Sequence, residues 1–235
     1  MTASSIPGGS SSSGWQLQLQ AVTQRFNQEY RGEAFDVPDD VQEMPVFREW
    51  VSGSLTARIA TPFWELVKFK KKQRCLDIGC GLSFLVYPWK EWQAFFYGQD
   101  TSQVAQAGMN QRGPQLDSKL FKGVTLGPAH LLDYEPGMFD VAIATGLSCY
   151  YDLAYWDTVI AAVKKCLKPD GVFVFDVVDP DQPTAENWAI LETFLGAEVQ
   201  LTPLTQWREL IRSTGGTVTK QRSGEVFHAY RVQWK

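Results

Sequence analysis

The sequence predicts an α/β protein built on a doubly wound sheet of about seven strands, mostly parallel, with an antiparallel C-terminal hairpin strand and extra helices on the N-terminal side. Three observations predict it. Apolar runs at 75–79, 94–99, 123–127, 139–145 and 171–178 alternate with helix-like segments, the pattern of strands joined by crossover helices. The first run breaks into a glycine turn and then a helix start, "CLDIGCGLSFLVYPW" at 75–89. Two last runs, 217–221 and 226–234, are separated by a few residues including Gly224, which reads as a hairpin at the sheet's edge.

The elements follow in order. Residues 1–14 contain "TASSIPGGSSSSG", small and polar with nothing to bury, and are expected to be a disordered tail. Residues 15–73 are expected to form an N-terminal helical segment able to act as a lid. Trp15, Leu19, Val22, Phe26 and Tyr30 fall on one face of a first helix, a stripe that serves core packing or lid alike. Phe47, Trp50, Val51, Leu55 and Ile59 mark a second helix, and Thr61-Pro62 reads as the cap and first turn of a third through about Phe69. The sheet domain then occupies 74–235. Pro88 should cut its first helix short. Leu153, Trp156, Val159, Ile160, Val163 and Leu167 form an amphipathic stripe, which "KPDG" at 168–171 closes with a turn. Residues 179–204 read as loop-rich, with an apolar face from Trp188, Phe194 and Leu195; a helix near 203–213 and a Gly215-Gly216 turn lead into the hairpin.

Composition narrows the function. The 235 residues are 44% hydrophobic and 20% charged, the balance of a soluble globular protein. No run is long and apolar enough for a membrane span, and no basic-then-apolar leader opens the chain, so a cytoplasmic location is expected. Cys75, Cys80, Cys149 and Cys166 have no C-x-x-C spacing and only two histidines accompany them, so no metal site or disulfide framework is expected. A net charge of -4 and a pI near 5.3 argue against a nucleic-acid partner. The basic run 68–74 reads as a solvated helix end.

In a doubly wound sheet, ligands bind beyond the carboxyl ends of the strands. There the chain places Asp77-x-Gly79-x-Gly81 after the first strand, and Asp100, nineteen residues beyond Gly81, after the second. Glycines let a backbone loop approach a nucleotide, and an acidic side chain at that distance can accept hydrogen bonds from both ribose hydroxyls. A dinucleotide fingerprint would require glycine at position 84, where Phe84 stands.

"DIGCGLS", "YGQD", "FDVAIATG" and "LKPDGVFVFD" occur in that order, and together the chain resembles the class I S-adenosylmethionine-dependent methyltransferases over roughly 74–222, a Rossmann-like family. Ser83 takes the place of that family's third glycine. The resemblance implies S-adenosylmethionine as cofactor and S-adenosylhomocysteine as product. It implies that Gly79, Cys80 and Gly81 lie under the methionine part with Asp77 near its amino group, that Asp100 holds the ribose, and that Thr101 borders the adenine. Thr145 and Gly146 would line the methionine side. The family's acidic residue after strand three is missing, and the backbone of Ala129 and His130 is expected to read the adenine instead. Cys80 is expected to pack in the turn rather than react. Tyr150 and Tyr151, in the loop after strand four, would either position the acceptor or pack under the N-terminal segment, and His228 and Asp140 read as structural.

The expected acceptor is a small apolar or aromatic molecule. A protein side chain is the first alternative, a noncatalytic S-adenosylmethionine binder the second, and a nicotinamide oxidoreductase is disfavoured by Phe84.

Overall fold

A computed structural model describes residues 11–234, with side chains from Trp15 onward. The N-terminal segment holds α1 (Ser11–Arg31), α2 (Asp39–Gln42), α3 (Pro45–Ser52) and α4 (Ser54–Ile59), then a single 3-10 turn at Phe63–Glu65. Of the expected disordered tail, residues 1–10 lie outside the described residues, whereas 11–14 belong to the first turn of α1. The expected second helix is two helices, because Gly53 takes a left-handed φ of 76° and caps α3 there. The expected third helix shrinks to the 3-10 turn. Pro62 precedes it with ψ 67°, outside the helical range.

The sheet domain runs β1 (Arg74–Ile78), α5 (Ser83–Val86), α6 (Trp89–Trp92), β2 (Phe95–Asp100), α7 (Gln103–Asp117), β3 (Phe121–Leu126), β4 (Phe139–Ala144) and α8 (Leu153–Cys166). It continues with β5 (Leu167–Val178), α9 (Ala185–Phe194), α10 (Leu204–Ser213), β6 (Gly216–Ser223) and β7 (Phe227–Trp234). The seven strands are ordered β3-β2-β1-β4-β5-β7-β6. The first five are parallel, and β7 runs antiparallel between β5 and β6. This is the expected fold class, hairpin included.

Both sheet faces are covered, so strand residues alternate between two cores rather than between core and water. Leu76, Ile78, Phe173, Phe175 and Val177 face one cluster, centred on Trp156 of α8 and Trp207 of α10. Cys75, Phe96, Val141, Ile143, Val172 and Val174 face the other, with Phe84 and Trp89. Each fully buried large apolar side chain of this kind contributes about 1.5–3 kcal/mol. Pro88 does interrupt the helix after β1, which becomes the two short pieces α5 and α6.

"KPDG" behaves differently from the expected helix-closing turn. β4 and β5 pair Phe139 with Leu167 and then Val141 with Val172, so Lys168–Gly171 bulges out of a strand that has already begun. Lys168 is held there by Asp140, at 2.6 Å. The loop-rich reading of 179–204 misses α9, which buries Trp188 and Leu191 but leaves Phe194 largely exposed.

Strand order reverses between β1 and β4, which opens a crevice at their carboxyl ends. α1 lies across it. Trp15 meets Tyr155 edge-on with ring centres 5.4 Å apart, and the Ser102 hydroxyl donates to Asn27 Oδ1 at 2.7 Å. Arg25 makes a two-pronged ion pair with Glu192 of α9, Nε to Oε2 at 2.9 Å and Nη2 to Oε1 at 3.0 Å. No helix among the described residues is long and apolar enough to cross a membrane.

Candidate active site

The turn after β1 is built by its glycines. Gly79 and Gly81 have φ of +68° and +47°, a region that side chains with a Cβ rarely enter. A Cβ on Gly81 would also collide with the Tyr30 hydroxyl of α1, which lies directly over the turn. Asp100 ties this turn to the end of β2: its Oδ2 accepts from Gly81 N at 2.8 Å and its Oδ1 from Ser102 N at 2.7 Å. Burial raises the Asp100 carboxyl, while the amide donors Ser102, Gly81 and Thr101 oppose the rise. The carboxylate thereby reaches the crevice with lone pairs to spare.

A cavity of about 490 Å³, counting the open space at its mouth, lies above this turn. Gly79, Asp100, Thr101, Ala129, Gly146 and Tyr151 line it from the sheet side. α1 closes it with Leu19, Val22, Phe26 and Tyr30. Six of the residues singled out in the sequence are thus brought together.

The others sit around the cavity rather than in its wall. Asp77 is buried beneath the turn, where it accepts from the Ser83 hydroxyl at 2.6 Å. Burial pushes its carboxyl up to about 7, against the pull of the Ser83 bond. Cys80 packs under the turn with Sγ against Gly98, and burial holds its thiol well above the ordinary value. His130 Nδ1 lies 3.3 Å from the Tyr155 hydroxyl, and burial lowers its pKa. His228 and the Ser223 hydroxyl are 2.9 Å apart in the C-terminal hairpin.

A second chamber of about 900 Å³, again including open space, adjoins the first and shares Phe26, Tyr30 and Gly146 with it. Thr145 and Tyr150 line this chamber. Tyr150 is buried and donates to Glu192 Oε2 at 2.9 Å. Burial first, then the Glu192 charge, hold its phenol well above its usual pKa, so it stays a donor. Tyr151 stacks on Tyr155 at 4.3 Å.

Sequence reasoning missed Arg25, Glu192 and Asp176, all of which line the second chamber. Arg25 and Glu192 are 167 positions apart, so no local pattern links them. Asp176 had a signal: it lies near the carboxyl end of β5, where a doubly wound sheet places ligand-facing groups. Among the described residues, no group of three or more His, Cys, Asp or Glu is placed to hold a metal ion.

Residues 76–173 match the family model described as a methyltransferase domain. No curated protein matches the chain in sequence. Among solved structures, the chain is similar to geranyl diphosphate C-methyltransferase from Streptomyces coelicolor, with a TM-score of 0.66 and 12% identity, covering 93% of this chain and 98% of that one. It is similar to 1,6-didemethyltoxoflavin-N1-methyltransferase from Burkholderia thailandensis, with a TM-score of 0.63 and 16% identity over 98% and 93% of the two chains. Magnesium protoporphyrin IX methyltransferase from Synechocystis gives a TM-score of 0.61 and 13% identity over 93% and 100%. All three structures hold S-adenosylhomocysteine.

Proposed function

We propose that this chain, whose residues 76–173 form a methyltransferase domain of the S-adenosylmethionine-dependent fold, transfers the donor's methyl group to a small apolar or aromatic molecule. The observation that carries this reading is the pair of adjoining cavities, one over the glycine turn and one beside it, in contact through Phe26, Tyr30 and Gly146.

The residues of the first cavity fit the cofactor. Asp100 presents a carboxylate suited to a ribose diol, Leu19, Val22, Ala129 and Tyr155 offer an apolar slot for a base, and the turn at Gly79 leaves the backbone bare. When bound, the cofactor supplies a methyl group on a sulfonium that becomes a neutral thioether. The chain's own task is to align the reactants and keep water out, since positive charge leaves the sulfur in the reaction. Phe26 and Tyr30 stand where the cavities meet and do both: they bound each cavity and cap the junction with aromatic surface. The Tyr150 hydroxyl is committed to Glu192, so Tyr150 shapes the acceptor chamber through that bond rather than as a base. A chamber walled by Trp50, Tyr87 and Trp188 suits a small molecule with an aromatic or apolar body. Structural neighbours that act on geranyl diphosphate and 1,6-didemethyltoxoflavin support a small-molecule acceptor over a protein one.

Calorimetric titration with S-adenosylhomocysteine and with NAD tests the cofactor. Binding of the first and not the second is expected, and failure of S-adenosylhomocysteine to bind refutes the reading. Asp100→Ala should weaken that binding by about 1–3 kcal/mol, the loss expected when a bonded charged partner is removed. Unchanged affinity would take the ribose role away from Asp100.

A further inference from the structure

The acceptor chamber contains a buried acid that the reading above leaves unused. Its charged side chains other than this acid are mutually engaged, Arg25 with Glu192 and with Glu29, and Tyr150 donates to Glu192, while burial raises the Tyr30 and Tyr87 phenols that also line it. Asp176 is different. It is 1% exposed, lines the chamber, and has no cationic partner among the described residues. Its Oδ1 accepts from Gly146 N at 2.7 Å and its Oδ2 from the Thr61 hydroxyl, both neutral donors, which leaves a lone pair on each oxygen. Gly146 also lines the cofactor cavity, so this carboxyl is bonded to the residue at which the two cavities meet.

Resting on the methyl-transfer reading, we propose that the acceptor is an amine with an aromatic or apolar body, seated in this chamber with its nitrogen at Asp176, whose carboxylate takes the proton the nitrogen must lose. The charge around the chamber favours this class. The buried Arg25–Glu192 pair is neutral overall, so an ionised Asp176 is the unbalanced buried charge of the chamber and favours a cation. The faces of Trp50, Tyr87 and Trp188 can hold an ammonium group, whereas an acidic acceptor would meet repulsion.

The proton and electron balance closes within the site. The amine enters as an ammonium and passes one proton to an Asp176 oxygen. Its freed lone pair forms the new N–CH3 bond while the electrons of the broken S–CH3 bond stay on sulfur. The product leaves as a methylated ammonium, and Asp176 returns its proton to water. A carboxyl pushed up to about 7 by burial is better matched to that exchange than an ordinary aspartate.

Phenethylamine and 2-phenylethanol, a similar shape without the charge, are titrated into the full chain saturated with S-adenosylhomocysteine. The amine should bind at least about tenfold more tightly. Its binding should release protons at pH 7, because the carboxyl that burial holds above the ordinary range ionises to pair with the ammonium; the heat measured in buffers of different ionisation enthalpy reads that release. Asp176→Asn should abolish both the preference and the release while S-adenosylhomocysteine still binds. Equal affinity for the two probes, no binding of the amine, or an amine preference that survives in Asp176→Asn would overturn the proposal. The comparison of probes uses the unaltered chain, so it stands even if the variant folds poorly. Saturation with S-adenosylhomocysteine is measured first, which separates a failure here from a failure of the methyl-transfer reading.

Discussion

Replacing Arg25 with methionine should loosen α1 from the crevice it covers. Arg25 and Glu192 have side chains only 3% and 6% exposed, and they share two parallel hydrogen bonds of 2.9 and 3.0 Å. In Arg25→Met, Glu192 would keep the Tyr150 hydroxyl but lose its counter-charge while still buried, a change that costs about 3–5 kcal/mol. Glu29, the other partner of Arg25, is 36% exposed and adds little, since water screens it. The loss is capped by the free energy of releasing α1 from the sheet, because a helix that can detach does so before the whole fold gives way. Hydrogen exchange of the α1 amides is therefore the sharper assay, with urea unfolding followed by far-ultraviolet circular dichroism beside it. A loss carried into global unfolding would lower Tm by roughly 2–4 °C per kcal/mol for a chain of this size. Arg25→Met/Glu192→Gln should recover much of the loss, because glutamine still accepts from Tyr150 and leaves no unpaired charge. If α1 amides exchange no faster in Arg25→Met and the urea midpoint is unchanged, the coupling argued here is wrong; a double variant no more stable than the single one would also refute it.

Two further outcomes follow from packing and titration. Gly113→Ala in α7 should destabilise by about 1 kcal/mol, because the cost of overpacking exceeds the helix-propensity gain: the new Cβ would stand 2.6–2.7 Å from the Phe121 ring, itself stacked on Phe96. A higher urea midpoint in that variant would show that the ring can yield. Asp77 binds its proton more tightly folded than unfolded, with a pKa raised from 3.8 to about 7. The folded state therefore carries more protons between about pH 4 and 7, and stability should fall as pH rises through that window and level off above it. Asp77→Asn should lessen the slope without abolishing it, since Asp176 is raised likewise; a variant curve parallel to the parent's would count against the assignment.

Where the sequence was legible, backbone and side chains carried one message. The runs of the inner strands were visible because both sheet faces are buried and apolar residues persist along β1, β4 and β5, and the turn at 77–81 was visible through its paired glycines. α7 was opaque: "QVAQAGMNQRGPQLD" has no strong apolar stripe and contains Pro114, and the helix forms with Ser102 capping its first turn. α9 was hidden by the Pro- and Asp-rich stretch before it. In the site, the residues of the β1, β2 and β4 loops could be read from motif spacing, since each sits within a few residues of a strand end. The chamber's polar floor could not, because Arg25, Tyr150, Asp176 and Glu192 meet only after α1, the β4 loop, β5 and α9 have assembled.

The position of β7 bears on how copies of this chain meet. Because β7 is held on both sides, the outer strands of the sheet are β3 and β6. β6 carries Lys220 and Arg222 and is largely exposed, and β3 carries exposed Lys122, whose ammonium lies 4.7 Å from the Phe95 ring centre. The register of both slips against the inner neighbour, between Phe96 and Gly98 on the β2 side and between Val218 and Lys220 on β6. Two such borders brought together would oppose like charges across irregular backbone, so strand-to-strand growth from one molecule to the next is discouraged at both ends.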